Sequence, residues 1–579
     1  MKGKRWLSVL ILLLGFCTDV FAQGNKKEDD AAKEKQRRQS VLIDSIIADS
    51  RDLRLGENRG IIFAKVGSRL WVSDQKRAQE LFQDAVNELI GAQTAAEAVR
   101  KSGNQNELLT GQSTRPQILQ TIAARDAEYA LQSFYKTRPA AIDRAISNSR
   151  ARDSKIRNPG NDQYLAQSEL NLEQMLIRMA ADQSPERAIA LLKSALKKGV
   201  TGETLNLLKK LYEKDPVAAN ELASEVVSQL ARKSFLISNQ LDYQSIQVAT
   251  SILTEHIRER PVTEKSLRFD GSQMSSLAER LISFYIERGA QYGYGMGQQI
   301  IQIAEKLAPS SVEKLKQVEK VMPQHGFRGI SQDPEVAKLL NGETSVEEML
   351  AGAAKLPVES RSQVYQSAAN KLAGTGDFAG ARSVLNEYFS GDALESAENT
   401  LNWTYSQHLI NAGRFIEAEA LIDEFPDSNR ISALLSLANS VFSRDEEKNK
   451  SYAVALLEKA RGQLPAKPET SNEMSQMMQI IGAYSRIQPA EAFRMFDGLV
   501  QQINELTEAA VIVNGFQGGY SVRHGEMLIS QGHSMGIYFD SSIFRNLAQM
   551  DFDRTLSVIG GISRREMRVS LKQQLLEGL

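Results

Sequence analysis

The sequence predicts an all-α fold, a superhelical solenoid of antiparallel helix pairs with a small glycine-rich loop or β-hairpin inserted near the C-terminus. Three observations predict it. From Ser40 onward apolar residues recur every three or four positions, as in LFQDAVNELI at 81–90, AIALLKSALKK at 188–198 and ANELASEVVSQL at 219–230. That spacing places them on one face of a helix. Helix starts carry recognisable chemistry, because Ser184-Pro185, Asp215-Pro216 and Asp333-Pro334 each set a capping side chain before a proline at the first helical position. Finally, Ala381, Ala418, Ala455 and Ala492 follow one another at intervals of 37 residues, a period typical of stacked supersecondary units.

Taken in order, residues 1–22 read as a secretory signal peptide. Lys2, Lys4 and Arg5 form a basic start, Trp6 to Phe16 an apolar run of 11 residues, and Val20-Phe21-Ala22 a small-x-small-like cleavage site before Gln23. Eleven apolar residues are too few to span a hydrocarbon core, which needs about 20. No later stretch is long and apolar enough either, so no transmembrane helix is expected after cleavage. The rival reading is lipidation of Cys17 after Leu14-Gly15-Phe16, which the bulky Phe16 fits poorly. Residues 23–40 are polar and of mixed charge and read as a tether. An N-terminal helical-repeat array is expected over 41–330 and a second array over 331–510. Turn-rich interruptions fall at 100–116, 258–275 and 323–335.

Residues 511–541 break the pattern. Glycines at 515, 518, 519, 525, 532 and 536 are too many for a helix interior. Tyr520 to Arg523 and Glu526 to Ser530 read as two short strands turning through His524-Gly525. Two roles stay open for this segment, a cap on the last helix pair and a binding loop on a rigid scaffold. A C-terminal helical pair is expected over 542–579.

Around the 37-residue period, Phe378, Phe415 and Tyr452 stand three residues before the first three alanines, and Pro489 takes the fourth place. A small residue there lets two helices approach closely, and the aromatic fills the space beside the turn. GDFAGARSVL and GRFIEAEALI are the clearest copies. Over residues 360–500 this resembles the tetratricopeptide repeats, helix–turn–helix solenoids whose second helix opens Gly-Asp/Arg-aromatic-x-x-Ala. The period departs from that family's usual value of about 34. The wider pattern resembles large exported helical-repeat proteins of bacteria, a resemblance that implies no particular chemistry.

Composition limits the function classes. The 579 residues carry 70 Lys and Arg against 71 Asp and Glu, and removing residues 1–22 leaves 67 against 70. Without a basic surplus, nucleic acid is not the expected partner. One cysteine excludes an intramolecular disulfide framework and cysteine-ligated zinc or iron–sulfur sites. The histidines, His256, His325, His408, His524 and His533, never stand three or four apart, so no helix presents a paired imidazole set. His408 reads as a packing or partly exposed residue.

Gly532-His533-Ser534-Met535-Gly536 matches a serine-hydrolase elbow on paper. No histidine follows it, and no β/α alternation precedes it to build the sheet. Gly293-Tyr294-Gly295-Met296-Gly297 lacks the spacing of a nucleotide-binding loop and reads as a turn between helices. Trp71 and Trp403 are the tryptophans left after cleavage, few for a sugar-stacking groove, and both read as packing residues.

The expectation is therefore an exported scaffold, non-catalytic and without cofactor or metal, that binds a protein or peptide partner. No catalytic, cofactor or metal residue is assigned. One alternative is a hydrolase or lyase on an α/α scaffold acting on envelope or extracellular polymers. Against a lytic transglycosylase stand the missing Glu-Ser opening and the missing Gly-Leu-Met-Gln run. The other alternative is a lipid-tethered assembly factor of the envelope.

Overall fold

The computed structural model describes residues 32–101, 108–150, 159–237, 240–258, 266–292, 297–321, 334–342, 344–517, 522–529 and 541–578. The expected signal peptide, Cys17, Asp333, His325 and the 532–536 glycine turn lie outside the described residues, as does most of the 323–335 interruption. Within them the chain is helical almost throughout. Its strands form two short antiparallel hairpins, Leu236–Ile237 with Gln240–Leu241 and Val522–Arg523 with Glu526–Met527. The fold is thus an all-α solenoid with a small hairpin near the C-terminus.

The chain forms two compact units. One comprises Met1–Asn58 with Ser331–Leu579, the other Arg59–Ile330. The stretch 32–58 thus belongs with the C-terminal helices, whereas the sequence divided it between a tether and the first array. Residues 32–51 are helical, and Leu42, Ile43, Ile46 and Ile47 on this helix are buried.

In the unit Arg59–Ile330, successive helices pack on one another: Gln75–Lys101 on Leu108–Ala123, Ala140–Arg150 on Pro159–Ala180, and Glu203–Tyr212 on Pro216–Ala231. Asp215 caps the last of these by accepting from the amides of Val217 and Ala218, with Pro216 in the first turn and Ala219 fully buried. Ser184 stands at the equivalent place before Pro185 but makes no side-chain capping bond.

The polar loop expected at 100–116 is largely a helix, since Leu108–Ala123 begins inside it and carries Pro116. The reason lies 54 residues away. Arg115, 2% exposed, makes a two-pronged pair with Glu169 at 2.6 and 3.0 Å. It also donates to the Thr137 hydroxyl and the Phe134 carbonyl, and lies over the Phe134 ring. A guanidinium buried with every edge engaged offsets its desolvation, which local polarity cannot foretell.

In the other unit, first helices Gly391–Asn411, Asp427–Arg444, Ser471–Ile487 and Ser541–Met550 pack side by side in sequence, and each is followed by a second helix packed against it. The turns entering the second helices at Phe378 and Phe415 are built identically. Gly376 and Gly413 take the left-handed conformation (φ 89° and 74°). Their amides bond to Ala373 and Ile410, and the following amides reach back to Leu372 and Leu409. This is the Schellman helix ending, in which glycine avoids a Cβ clash.

Ala381, Ala418 and Ala492 are fully buried as the period predicts. Ala455 is exposed. Its helix, Glu446–Arg461, starts about two turns before it behind the cap Asp445. The residues that reach the core there are therefore Ala453, Leu456, Leu457 and Ala460. The 37-residue spacing is real at three positions and coincidental at the fourth. Tyr452 bonds Glu419 of the preceding second helix at 2.7 Å, and Lys459 joins the same carboxylate at 2.9 Å. Burial pushes the Glu419 carboxyl up, but the Lys459 ammonium and Tyr452 hydroxyl outweigh it and hold it below its ordinary value.

Gly413→Ala should lower stability by about 1 kcal/mol through the left-handed backbone alone, with more from the contact its Cβ would make on the Arg444 guanidinium. Urea denaturation measures it. Because Glu419 titrates low in the folded chain, its contribution is complete above the unfolded carboxylate value and fades as pH falls through the lowered one. Glu419→Gln should therefore cost stability at pH 7 and lose less than the parent between pH 5 and 3, in denaturation midpoints followed across that range.

Candidate functional site

The predicted hairpin is present, in the register Val522 opposite Met527 and Arg523 opposite Glu526. His524 and Gly525 both have positive φ, 50° and 71°, the two-residue turn that matches strand twist. Its neighbours are the residues just before and inside the start of the helix Gly56–Leu70. The buried Glu526 carboxylate accepts from the Arg54 amide at 2.5 Å, the Leu55 amide at 3.2 Å and Asn58 Nδ2 at 2.7 Å. Asn58 also donates to the Met527 carbonyl and accepts from the Ile529 amide. Arg523 pairs with Glu57 at 2.5 Å.

Glu526 thus supplies the negative charge and acceptor that a helix N-terminus lacks, from a position 468 to 472 residues along the chain. Two further pairs reinforce the same junction, Lys572 with Asp49 at 2.7 Å and Arg565 with Asp52 at 3.5 Å. Val522 and Met527 pack on Val511. The helix Pro489–Phe516 runs further into the glycine-rich segment than its composition suggested, and the next helix starts at Ser541.

Beside the hairpin lies a cleft of about 670 Å³ edged by Asp52, Arg54, Glu508, His524, Arg564 and Arg565. Its ionic groups already serve one another. Arg564 pairs with Glu508 and Glu566, Arg565 with Asp52, and Arg54 donates to the His524 carbonyl. This is a polar junction whose three arginines are bonded within it.

A different concavity opens on the shared face of the first helices in the same unit. This groove, of about 700 Å³, is lined by Asn439, Ser475, Gln479, Arg486, Ser542 and Asn546, with Leu435 and Met478 as its apolar floor. Ser475, Gln479 and Arg486 recur four and seven residues apart along Ser471–Ile487, forming one stripe. Neighbouring helices are stitched across the same face, Ser436 to Gln407 at 3.2 Å, Arg486 to Ser443 at 2.8 Å and Asn546 to Ser485 at 3.0 Å. The unit Arg59–Ile330 has a groove of about 560 Å³ with similar chemistry, lined by Gln120, Tyr164, Gln167, Asn171, Gln244 and Gln247. Carboxamides and hydroxyls both donate and accept, which suits a ligand that is itself a string of donors and acceptors.

Of the histidines singled out in the sequence, His325 and His533 lie outside the described residues, and the other three sit in separate surroundings. His256 lies edge-on to Phe269 and His408 edge-on to Phe378, while His524 forms the hairpin turn. Among the described residues no group of three or more His, Cys, Asp or Glu is arranged to hold a metal ion. Trp71 stacks on Phe82, as its packing role requires. Trp403 is 36% exposed, not enclosed between repeats. Gly297 opens the helix Gly297–Leu307, directly after the helix Gly271–Tyr292 and the 293–296 segment. No described helix is long and apolar enough to cross a membrane. Sequence reading missed Glu526, Asn58 and the groove stripe. In the sequence the stripe shows only as polar residues four and seven apart on one helix face, a pattern common on solvated helices.

No protein-family model matches the sequence, and no curated protein matches it. Among solved structures, the chain is similar to a circular tandem repeat protein with novel repeat topology and enhanced subunit contact surfaces. That likeness is at 14% identity and a TM-score of 0.21, over 92% of this chain and 100% of that one. At those values the arrangement of the helices rests on contacts within the chain alone.

Glu526→Ala would leave the Arg54 and Leu55 amides without their acceptor and remove one of the two bonds that the Asn58 amide donates. It should cost about 3 kcal/mol, and Glu526→Gln, which keeps an acceptor, clearly less. Denaturant unfolding of the two variants measures the difference.

Proposed function

We propose that the chain is an exported, non-catalytic helical-repeat scaffold that holds an extended segment of a protein partner along the inner faces of its stacked helices. The observation that carries this reading is the lining of the groove between Asp427–Arg444, Ser471–Ile487 and Ser541–Met550, uncharged but for Arg486 and rich in side-chain amides and hydroxyls. Peptide groups present one donor and one acceptor per residue. Side chains such as Asn439, Gln479 and Asn546 can bond them without demanding a particular partner side chain, while Leu435 and Met478 supply apolar contact.

Export rests on the basic start, the short apolar run and Val20-Phe21-Ala22 in the sequence. Cleavage after Ala22 leaves Gln23 as the first residue. The hairpin then serves as a clasp closing its own unit, and the groove does the binding.

The test replaces Gln479 in the full chain with the photo-crosslinker benzoylphenylalanine, in the native envelope. A second variant carries it at the exposed Glu446. A discrete protein adduct at position 479 and none at 446 is the expected result. Equal labelling at both positions, or none at 479 in folded protein, would overturn the reading. Mass spectrometry of the same mature protein should find Gln23 first, and an acylated Cys17 in that place would contradict soluble export.

A further inference from the structure

Within the groove of the unit that contains Ser331–Leu579, Arg486 is the one charged residue of the lining. Among the described residues it pairs with no carboxylate. Its Nη2 donates to the Ser443 hydroxyl at 2.8 Å, and that hydroxyl donates onward to the Asn439 carbonyl at 2.7 Å. The guanidinium carbon lies 5.8 Å from the centre of the Phe442 ring. The side chain is exposed and steadied by a hydroxyl and an aromatic of the neighbouring helix, and among the described residues no other group bonds its guanidinium. This contrasts with the arginines on the outer turns, where Arg414 and Arg494 each pair with a glutamate three residues on or back.

We infer that Arg486 anchors an aspartate or glutamate side chain of the bound peptide, so that the groove selects acidic segments. The inference rests on the peptide reading of the same groove. A guanidinium presents parallel N–H bonds that match the two oxygens of a carboxylate. The groove supplies a single positive charge, and its other lining groups are neutral. That balances a monoanion, whereas a phosphoryl group, carrying roughly −1.5 to −2 at neutral pH, would leave charge uncompensated. Ser475 and Gln479 stand along the same helix face, placed to hold the peptide groups flanking the carboxylate.

The probe is a soluble pool of dodecapeptides containing every residue except cysteine in equal parts, prepared with free and with amidated C-termini. Each pool is passed over the immobilised full chain, and retained peptides are read by mass spectrometry. Asp and Glu should be enriched several-fold over Lys and Arg in both pools. Enrichment lost on amidation would place the carboxylate at the terminus and overturn the side-chain anchor.

Arg486→Gln should abolish the preference and weaken binding of a selected peptide about tenfold, with Arg486→Lys restoring part of it. Arg486→Glu should reverse the preference toward Lys and Arg. Circular dichroism confirms that each variant is folded. Peptides retained with no acidic preference, or a preference unchanged in Arg486→Gln and Arg486→Glu, would overturn the anchor and leave the peptide groove standing. A pool from which nothing is retained would overturn both.

Discussion

The buried carboxylate of Glu526 is the interaction on which the unit holding both chain ends depends. It gathers two backbone amides and a side-chain amide from residues 54–58, so the start of the helix Gly56–Leu70 acquires its terminal acceptor from the far end of the sequence. A carboxylate taken out of water is costly unless it is bonded. A helix N-terminus is costly too unless capped. Each group satisfies the other, and neither would be stable in that place alone. The hairpin exists to present Glu526, and the left-handed pair His524-Gly525 turns the strand back at the right point. The pairs Lys572–Asp49 and Arg523–Glu57 extend the same junction.

Away from that junction, stability comes from repetition with variation. Helix pairs bury alanine and leucine faces and end on glycine turns, and these features recur without a strict period. The helix Glu446–Arg461 starts early relative to its neighbours, and its core face is correspondingly carried by Ala453 and not by Ala455. Stacked repeats tolerate such shifts because each contacts only its neighbours. First helices aligned side by side leave a common face that no second helix covers. On that face the lining is hydrogen-bonding and uncharged apart from Arg486, which distinguishes it from the ion-paired outer turns.

Much of the architecture was legible in the sequence because it depends on local signals. Apolar spacing predicts the helices, Asp215-Pro216 predicts a capped start, and His524-Gly525 marks the turn of the hairpin, whose strands are shorter than the sequence suggests. What escaped notice depends on contacts distant along the chain. Arg115 looks like part of a polar loop until Glu169 is brought beside it, and residues 32–40 look like a tether until the helix they begin packs with the C-terminal elements. The groove escaped for a subtler reason. Ser475, Gln479 and Arg486 read as an ordinary solvated face, and only the adjoining helices make that face concave.

The most direct test of the clasp is native-state hydrogen exchange at single-residue resolution in the full chain. The amides of Arg54 and Leu55 precede their helix and have no partner within it. If Glu526 holds them, they should exchange as slowly as the amides of the buried helix residues Ile46 and Ile47. Exchange at the rate of exposed coil, while Ile46 and Ile47 stay protected, would contradict the account.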